Sequence, residues 1–276
     1  AIRSRGLGDV YKRQEQCDHL LLHSPVLTVP EWDALCLYLG DKAAAIDCTF
    51  ADDGSDNSFH TALGRIQAEA EEAVRSGCEH VMLTDLNVSA DRVPLPMILA
   101  TGAVHSHLVR QQLRTFASVN VASGECLDVH HFAVLIGVGA TTVNAYVAEA
   151  AIADRQVRGL LPGLEIGDAV GNYRKAIEDG LLKIMSKMGI SVIASYRGGY
   201  NFEALGLSRS LVASYFPPMS SRISGLGIKG IAARVVAMHR KAFAADDVHL
   251  PVGGFFRYRK SGERHAFDGQ LIHAMQ

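Results

Sequence analysis

The sequence has little of what marks several common protein classes. Five cysteines occur in 276 residues, and no two of them form a Cys-x-x-Cys pair. That scarcity argues against a disulfide framework and a zinc knuckle, and it favours a reducing compartment, the cytoplasm. No apolar run approaches the roughly 20 residues that a membrane helix requires. The formal net charge is only −2, so no general attraction draws the chain to nucleic acid or to a membrane.

What remains is an ordinary globular composition, 48% hydrophobic and 20% charged, enough for one large domain or two small ones. Residues 4–14 read SRGLGDVYKRQ and resemble a sequencing adaptor translated in frame. We therefore set residues 1–14 aside as an expected artefact, which implies that the natural protein extends further upstream. A natural polar arm is the alternative.

Strand-like and helix-like segments alternate through the first half of the chain. Apolar runs that suit β-strands begin at positions 44, 80 and 116, and they cover residues 44–50, 80–86 and 116–122. Amphipathic helices are expected between them at 57–76, capped by Asp56 and ended by Gly77, and at 96–113. This rhythm predicts an α/β fold with an open, mainly parallel sheet flanked by helices.

The second half is expected to continue with helices and one more strand. The helices are predicted at 131–137, 142–152, 166–188 and 228–243, and the fourth strand at 190–196. Gly189 suits the C′ position of the third helix, where φ is positive. Residues 246–251 read as a linker, and 270–276 read as an unfinished helix, so we expect a chain truncated at both ends.

Two motifs suggest chemistry but have simpler explanations. The glycines at 225, 227 and 230 spell G-x-G-x-x-G before a helix, and Asp246 and Asp247 follow at the right distance for dinucleotide binding. Residues 219–224 are too polar for the buried strand that this motif needs, so a flexible helix-entry loop is preferred. Basic and aromatic residues alternate over 255–265, where a strand pair is preferred to a nucleic-acid site.

The paired histidines are a third motif. His105 and His107 are two apart on a helix and cannot both face one metal ion, and His130 and His131 precede a helix. Buried or capping imidazoles are therefore preferred to a metal site.

Polar residues at the ends of the predicted strands form a weaker candidate. Asp47, Asp85, Asn120 and Ser195 fall at or near the carboxyl ends of the four strands, the edge where α/β proteins bind ligands. Helix capping and hydrogen bonds to loop amides explain the same residues and are preferred to a ligand site. If Asp85 and Asn120 do bind a ligand, the chain is a stand-alone nucleotide- or phosphate-binding protein.

Several ordered blocks closely resemble the central domain of the glutamate synthase large subunit. The most informative is residues 172–207, NYRKAIEDGLLKIMSKMGISVIASYRGGYNFEALGL. The other blocks are residues 92–100, 102–105, 129–133, 139–140, 143–146, 221–225 and 262–265. Two departures concern the subfamily: Ala145 stands where many relatives have proline, and residues 199–201 replace a commoner Ala-Gln pair.

The resemblance implies a fragment of a relay enzyme that makes L-glutamate from glutamine and 2-oxoglutarate. An amidotransferase domain releases ammonia, which crosses a tunnel to a barrel that carries FMN, and an iron–sulfur cluster supplies electrons. A small subunit is a further expected partner, as electron donor. Residues 15–245 would be the central domain and 246–276 the linker and start of the FMN barrel. The catalytic cysteine, flavin loops and cluster cysteines would lie elsewhere, so the fragment alone is expected to be inactive, with no cofactor.

For this segment the resemblance implies a mechanical role, which is to hold two catalytic domains apart and to wall off the ammonia path. The candidate residues at the domain junction or tunnel are Ser186, Lys187, Met188, Gly189, Ser191, Tyr196, Arg197 and Glu203. The charges of Lys183 and Lys187 also suit a helix C-terminus without any further role. A non-enzymatic paralogue that acts as a scaffold is another alternative.

Overall fold

The computed structural model describes residues 20–52, 57–244, 252–254 and 257–276. They belong to two compact units, Ala1–Val236 and Ala237–Gln276. The strands are β1 (Val26–Leu27), β2 (Ala43–Asp47), β3 (Thr49–Ala51), β4 (His80–Thr84), β5 (Arg92–Pro94), β6 (Ser118–Ala122), β7 (Thr142–Asn144), β8 (Glu203–Leu207) and β9 (Ser220–Leu226). The helices are α1 (Val29–Leu39), α2 (Ser58–Arg75), α3 (Met97–Arg110), α4 (Val129–Gly137), α5 (Tyr146–Val157), α6 (Ile166–Lys187), α7 (Ile193–Tyr196), α8 (Arg209–Tyr215), α9 (Ile228–Phe243) and α10 (Gly269–Met275).

The first unit is built on a five-stranded sheet whose order is β1-β7-β6-β4-β2. Every neighbouring pair in that sheet is parallel. The three strand-like runs at 44, 80 and 116 supply its β2, β4 and β6, so the expected α/β fold with a mainly parallel sheet is confirmed. Helices α2 and α3 connect these strands and pack against each other.

Helices cover both faces of the sheet. Successive residues of a strand point to opposite faces, and β4 shows the pattern: Val81 and Leu83 belong to the larger core, while Met82 belongs to a second cluster. The larger core includes buried side chains of α2, α3 and α4. The second cluster is made with Trp32 and Leu35 of α1.

Two of the elements predicted in the first unit are wrong. Residues 142–152 were expected as one helix, but residues 142–144 form β7, which pairs with β1 and β6, and the helix begins only at Tyr146. Residues 190–196 were expected as the fourth strand, but their second half is the helical turn α7. In both segments, packing against the rest of the fold outweighs local propensity.

The predicted strand over residues 44–50 divides between two sheets. Its first part is β2, and its end is β3, which pairs antiparallel with β5. Asp47 stabilises the bend, since its Oδ1 accepts hydrogen bonds from the Thr49 backbone N–H (2.9 Å) and hydroxyl (2.8 Å). A short polar side chain that bonds the backbone two residues ahead is a common turn device.

Most predicted helices are confirmed to within a few residues. Helix α2 occupies the expected segment, and Gly77 follows it with φ +99°. Its proposed cap Asp56 lies outside the described residues, as do residues 1–14 and the linker at 246–251. Within the described residues, no helix is both long enough and apolar enough to cross a membrane.

The second unit is small. Its helix α10 confirms the helix expected near residues 270–276, and the Asp268 carboxylate caps it by accepting from the Leu271 N–H (2.8 Å). Residues 257–265 form turns rather than the expected strand pair. One of these turns is closed by the Glu263 N–H, which donates to the Gly253 carbonyl (2.7 Å).

Candidate functional site

The end of α6 has the geometry expected from the sequence. Gly189 has φ +70°, and the Ile190 N–H donates to the Met185 carbonyl (2.9 Å) while the Gly189 N–H donates to the Ser186 carbonyl (3.2 Å). A left-handed residue with a long backbone bond across it is the Schellman ending of a helix. The prediction that Gly189 occupies the C′ position is confirmed.

Three of the proposed junction residues meet in one shallow groove beside this helix end. The lining combines apolar side chains of α6 with small polar residues of the turn that follows, and it consists of Leu182, Met185, Ser186, Gly189, Ile190 and Ser191. Lys187 and Met188 flank the turn, and Met188 keeps 42% of its surface exposed. This groove, which we call the α6 groove, is the part of the predicted site that the structure brings together.

Tyr196 and Arg197 do not line the α6 groove. Tyr196 is only 1% exposed and packs edge-on against Phe202, with 6.3 Å between ring centroids. The following loop is held against the end of α4, because the Gly198 N–H donates to the Ile136 carbonyl (3.0 Å) and the Tyr200 N–H donates to that of Gly137 (3.1 Å). The Arg197 side chain extends from this fixed loop.

Glu203 is committed to a contact within the fold. It lies on β8, and both of its carboxylate oxygens accept from Arg222 of the neighbouring strand β9, at 2.6 and 2.7 Å. The hydrogen bond from Arg222 lowers the pKa of Glu203. We therefore assign Glu203 to the pairing of β8 with β9, and it does not line the α6 groove.

A half-buried basic cluster lies beside the loop of residues 197–200, which we call the Arg197 loop, and the sequence did not predict it. Arg114 donates through Nε to His105 Nδ1 (3.0 Å) and through Nη2 to the Gly139 carbonyl (2.9 Å). Burial, followed by the charges of Arg114 and Arg197, lowers the pKa of His105 to about 3. Burial also lowers the pKa of Arg114 to about 10. No periodic pattern relates these positions, so only the folded chain reveals the cluster.

The four residues proposed for the carboxyl edge of the sheet do not form one site. Asn120 lies in the middle of β6, where its Oδ1 accepts from the Thr142 hydroxyl (2.7 Å). Asp47 forms a 2.6 Å ion pair with Arg92, and Ser195 lies in α7 rather than on a strand. Because Asp85 and Asn120 occupy different levels of the sheet, the geometry does not favour the alternative of a stand-alone nucleotide-binding protein.

Asp85 does lie at the expected edge, where it organises the surrounding loops. Both carboxylate oxygens accept from the Gly124 N–H (3.1 and 2.9 Å), and Oδ1 also accepts from the Tyr146 hydroxyl (2.9 Å). Nearby Glu125 accepts from the Met97 N–H at the start of α3. Burial raises the pKa of both carboxyl groups, and the charge of Asp85 adds to the effect at Glu125.

The glycine-rich segment is not the expected helix-entry loop, because Gly225 lies within strand β9, Gly230 lies within α9, and only Gly227 lies between the two elements. Strand β9 is polar because it is largely solvent-exposed, and it runs to Leu226, directly before α9. A Cβ at position 225 would lie 2.3 Å from the Gly206 carbonyl oxygen, so Gly225 is needed for the close approach of β8 and β9. The aspartates at 246 and 247 lie outside the described residues, and Phe255 and Phe256 of the basic-aromatic stretch do as well.

The histidines separate as predicted from their spacing. His105 contacts Arg114, whereas His107 Nε2 lies 2.6 Å from Glu71 Oε2 on α2. His131 Nδ1 accepts from the Leu127 N–H (3.1 Å), a local contact at the start of α4. In the part of the chain that the structure describes, no group of three or more His, Cys, Asp or Glu side chains is arranged to hold a metal.

Comparison with known proteins identifies the family. The profile of the glutamate synthase central domain matches residues 5–208. Over 275 residues the chain is 56% identical to the glutamate synthase (NADPH) large chain of Azospirillum brasilense, covering 99% of this chain and 18% of that one. The glutamate synthase (NADH) of Schizosaccharomyces pombe is 38% identical over 95% of this chain and 13% of its own length.

A ferredoxin-dependent glutamate synthase 2 of Synechocystis is 36% identical over 92% of this chain and 17% of its own length. The chain therefore spans less than a fifth of these relatives. A flavocytochrome b2 structure overlaps 48% of this chain and 31% of its own at 16% identity with a TM-score of 0.37, which is too weak to support an inference. On the profile match and these identities, the chain belongs to the glutamate synthase central domain family.

Proposed function

We propose that this chain serves as the connector of a glutamate synthase, a cytoplasmic oxidoreductase that forms L-glutamate from glutamine and 2-oxoglutarate. The observation that carries the proposal is the 56% identity to a glutamate synthase large chain over almost the whole chain. The proposed partners are an amidotransferase domain, an FMN barrel domain and an electron-donating small subunit. Residues 15–245 are proposed as the central domain and 246–276 as the entrance to the barrel, with residues 1–14 set apart.

The described residues do not fit an iron–sulfur cluster. Such a cluster requires several converging cysteine thiolates, whereas burial raises the pKa of the Cys48 and Cys126 thiols and favours their protonated forms. The other described cysteines, Cys36 and Cys78, are also free, and no metal-holding group is found among the described residues. We therefore assign the cluster and FMN to other parts of the parent enzyme and no redox step to this chain.

The proposed contribution of this chain is to keep ammonia neutral while it moves between two active sites. In water at pH 7 ammonia is mostly ammonium, which has no lone pair to attack a carbonyl carbon. An environment poor in water disfavours the charged form. A rigid wall between the domains supplies that environment and holds the two sites at a constant separation, which is a task for packing rather than for reactive side chains.

We propose the α6 groove as the junction with a neighbouring domain. Its apolar residues Leu182 and Ile190 lie beside two serines, and Leu182 keeps 63% of its surface exposed. An exposed apolar side chain next to a rigid helix ending suits a contact with another domain. The proposed junction set comprises Ser186, Lys187, Met188, Gly189, Ser191, Tyr196, Arg197 and Glu203, and the Arg222 contact makes Glu203 its least accessible member.

The test is a chimera in which residues 15–245 replace the matching segment of the Azospirillum brasilense large chain. Ser191→Trp places a bulky ring in the α6 groove, and Ser76→Trp, at an exposed position after α2, is the matched control. We expect Ser191→Trp to release more ammonia from glutamine than is recovered in glutamate. The control and the unsubstituted chimera should keep the two rates equal. Equal rates in all three proteins would reject the α6 groove as part of the junction.

A further inference from the structure

The basic cluster beside the Arg197 loop contains two guanidinium groups and no described acidic partner. The three hydrogen bonds of Arg114 all end on neutral acceptors, His105 Nδ1 and the carbonyls of Ala117 and Gly139. The Arg197 guanidinium has neither a hydrogen bond nor an ion pair with any residue that the structure describes. Burial lowers the pKa of Arg197, as expected for a cation removed from water without a counterion.

The fold holds His105 firmly within this cluster. Its ring lies between two glycines, since a Cβ at Gly139 would be 2.3 Å from Cγ and a Cβ at Gly198 would be 3.0 Å from Cε1. Both glycines have positive φ, +127° and +66°. A larger residue at either position would meet the ring and strain the backbone as well. The site is therefore built into the fold and is not a chance meeting of flexible side chains.

The Arg114 contact also determines which nitrogen of His105 can donate. A guanidinium only donates, so Nδ1 must accept, and the neutral ring carries its proton on Nε2. The atoms that are fully buried and unpartnered among the described residues are Thr101 Oγ1, Ser123 Oγ and Tyr196 OH. The free donors of His105 and Arg197 are not among these atoms.

We propose that Arg197, the Nε2–H of His105 and the guanidinium of Arg114 form a binding site for a carboxylate group. The planar fork of Arg197 matches the two oxygens of a carboxylate, and Arg114 supplies a second positive charge. The inference does not depend on the proposed connector role, because it uses only side chains of this chain. The carboxylate comes either from a free dicarboxylate or from an acidic side chain of the longer protein.

The backbone of the loop distinguishes a carboxylate from a phosphate. Phosphate sites are typically lined by free backbone N–H groups. In this loop every amide from 197 to 200 already donates within the chain, and the acceptors are the carbonyls of Ile193, Ile136, Tyr196 and Gly137 respectively. Side-chain donors alone remain, which suits the smaller and flatter anion.

The test follows the labelling of Arg197 by phenylglyoxal, measured by peptide mass spectrometry on the 276-residue chain. Exposed Arg155 on α5 serves as an internal reference in the same digest. Saturating glutarate should slow labelling of Arg197 by about tenfold, because a guanidinium that donates to a bound carboxylate is withheld from the reagent. Labelling of Arg155 should not change. Inorganic phosphate at the same ionic strength should protect Arg197 much less.

A second arm identifies the source of the carboxylate, using the Azospirillum brasilense chimera without added ligand. Slow labelling of Arg197 in that protein, together with no effect of glutarate on the 276-residue chain, assigns the carboxylate to another domain. Protection by glutarate in the 276-residue chain assigns a free dicarboxylate. The proposal is overturned if Arg197 in the 276-residue chain is labelled at the same rate with and without glutarate and no more slowly in the chimera, or if phosphate protects as well as glutarate. These readouts are independent of the ratio of ammonia to glutamate.

Discussion

Replacing Gly102 by alanine should destabilise the first unit, although glycine is a poor helix former. Gly102 lies inside α3, where alanine normally gains up to about 1 kcal/mol. An added Cβ would lie 2.2 Å from Phe216 Cε1, 2.6 Å from Cδ1 and 3.1 Å from the Tyr215 carbonyl oxygen. Carbon atoms pack favourably at roughly 3.5–4.0 Å. The Phe216 ring is 3% exposed and has little free space into which it can move.

The magnitude follows from comparison with Gly171, an exposed glycine inside α6 where an added Cβ meets nothing within 4 Å. Gly171→Ala should therefore stabilise the chain by about 0.5–1 kcal/mol. The helix-propensity gain is similar at both sites, so it cancels in the difference between the two variants. What remains is the cost of overpacking, about 1–3 kcal/mol. We expect Gly102→Ala to be less stable than Gly171→Ala by that amount.

The assay is equilibrium urea denaturation of each variant, followed by circular dichroism and fitted with a common slope. A third protein, Gly102→Ala with Phe216→Leu, removes the ring that the new methyl group meets. We expect the alanine to cost less free energy of unfolding in the Phe216→Leu background than in the natural one, a coupling that a double-mutant cycle measures. If Gly102→Ala proves as stable as Gly171→Ala, the packing of α3 against Phe216 is not as described.

Three further predictions concern buried polar groups. Burial raises the pKa of Asp85, so its ionisation opposes folding. The free energy of unfolding should therefore fall as pH rises from about 4 through the raised pKa of the folded state. Asp85→Asn should flatten that part of the pH dependence, measured by urea denaturation. The pKa of His105 is lowered to about 3, so stability should be lost as pH falls from about 6.5, and nitrogen NMR should show a neutral ring protonated on Nε2 at pH 5. Asn120→Leu should cost about 1–3 kcal/mol in urea denaturation, because the hydroxyl of Thr142 loses its buried acceptor; an unchanged midpoint would contradict that assignment.

The spacing of apolar residues predicted helices that bury one face, and apolar runs predicted the longer strands of the sheet. Helix α2 buries Phe59, Leu63 and Ile66 at helical spacing, and its predicted extent differs from the observed one by a residue at each end. Strands β2, β4 and β6 were found from their apolar runs. The spacing that placed a helix between them also predicted their parallel order, since a parallel pair requires a crossover connection.

Short segments could not be assigned in the same way. Strand β7 has three residues, Thr142 to Asn144, all buried between β1 and β6. Such a run is too short to show a period, and the sequence prediction therefore joined it to the helix that follows it. Residues 190–196 are rich in β-favouring side chains, yet Tyr196 packs on Phe202 and the loop beyond bonds to α4. Contacts between distant residues determine this conformation, and a single sequence does not reveal them.

The sequence proposed Asp85 and Asn120 as a ligand site at the sheet edge and Arg197 as a domain-junction residue, and the fold satisfies the hydrogen bonds of the first two far more completely. Polar residues near the ends of strands were proposed from a rule about fold class, but Asp85 and Asn120 use their hydrogen-bonding capacity within the chain. Arg197 was proposed only from a family resemblance, yet it has no partner among the described residues. A group whose hydrogen bonds are already satisfied within the chain gains little from a ligand, whereas a half-buried cation without an anion gains more. The hydrogen-bond and ion-pair partners of these residues therefore favour a ligand site at the loop after α7 over one at the sheet edge.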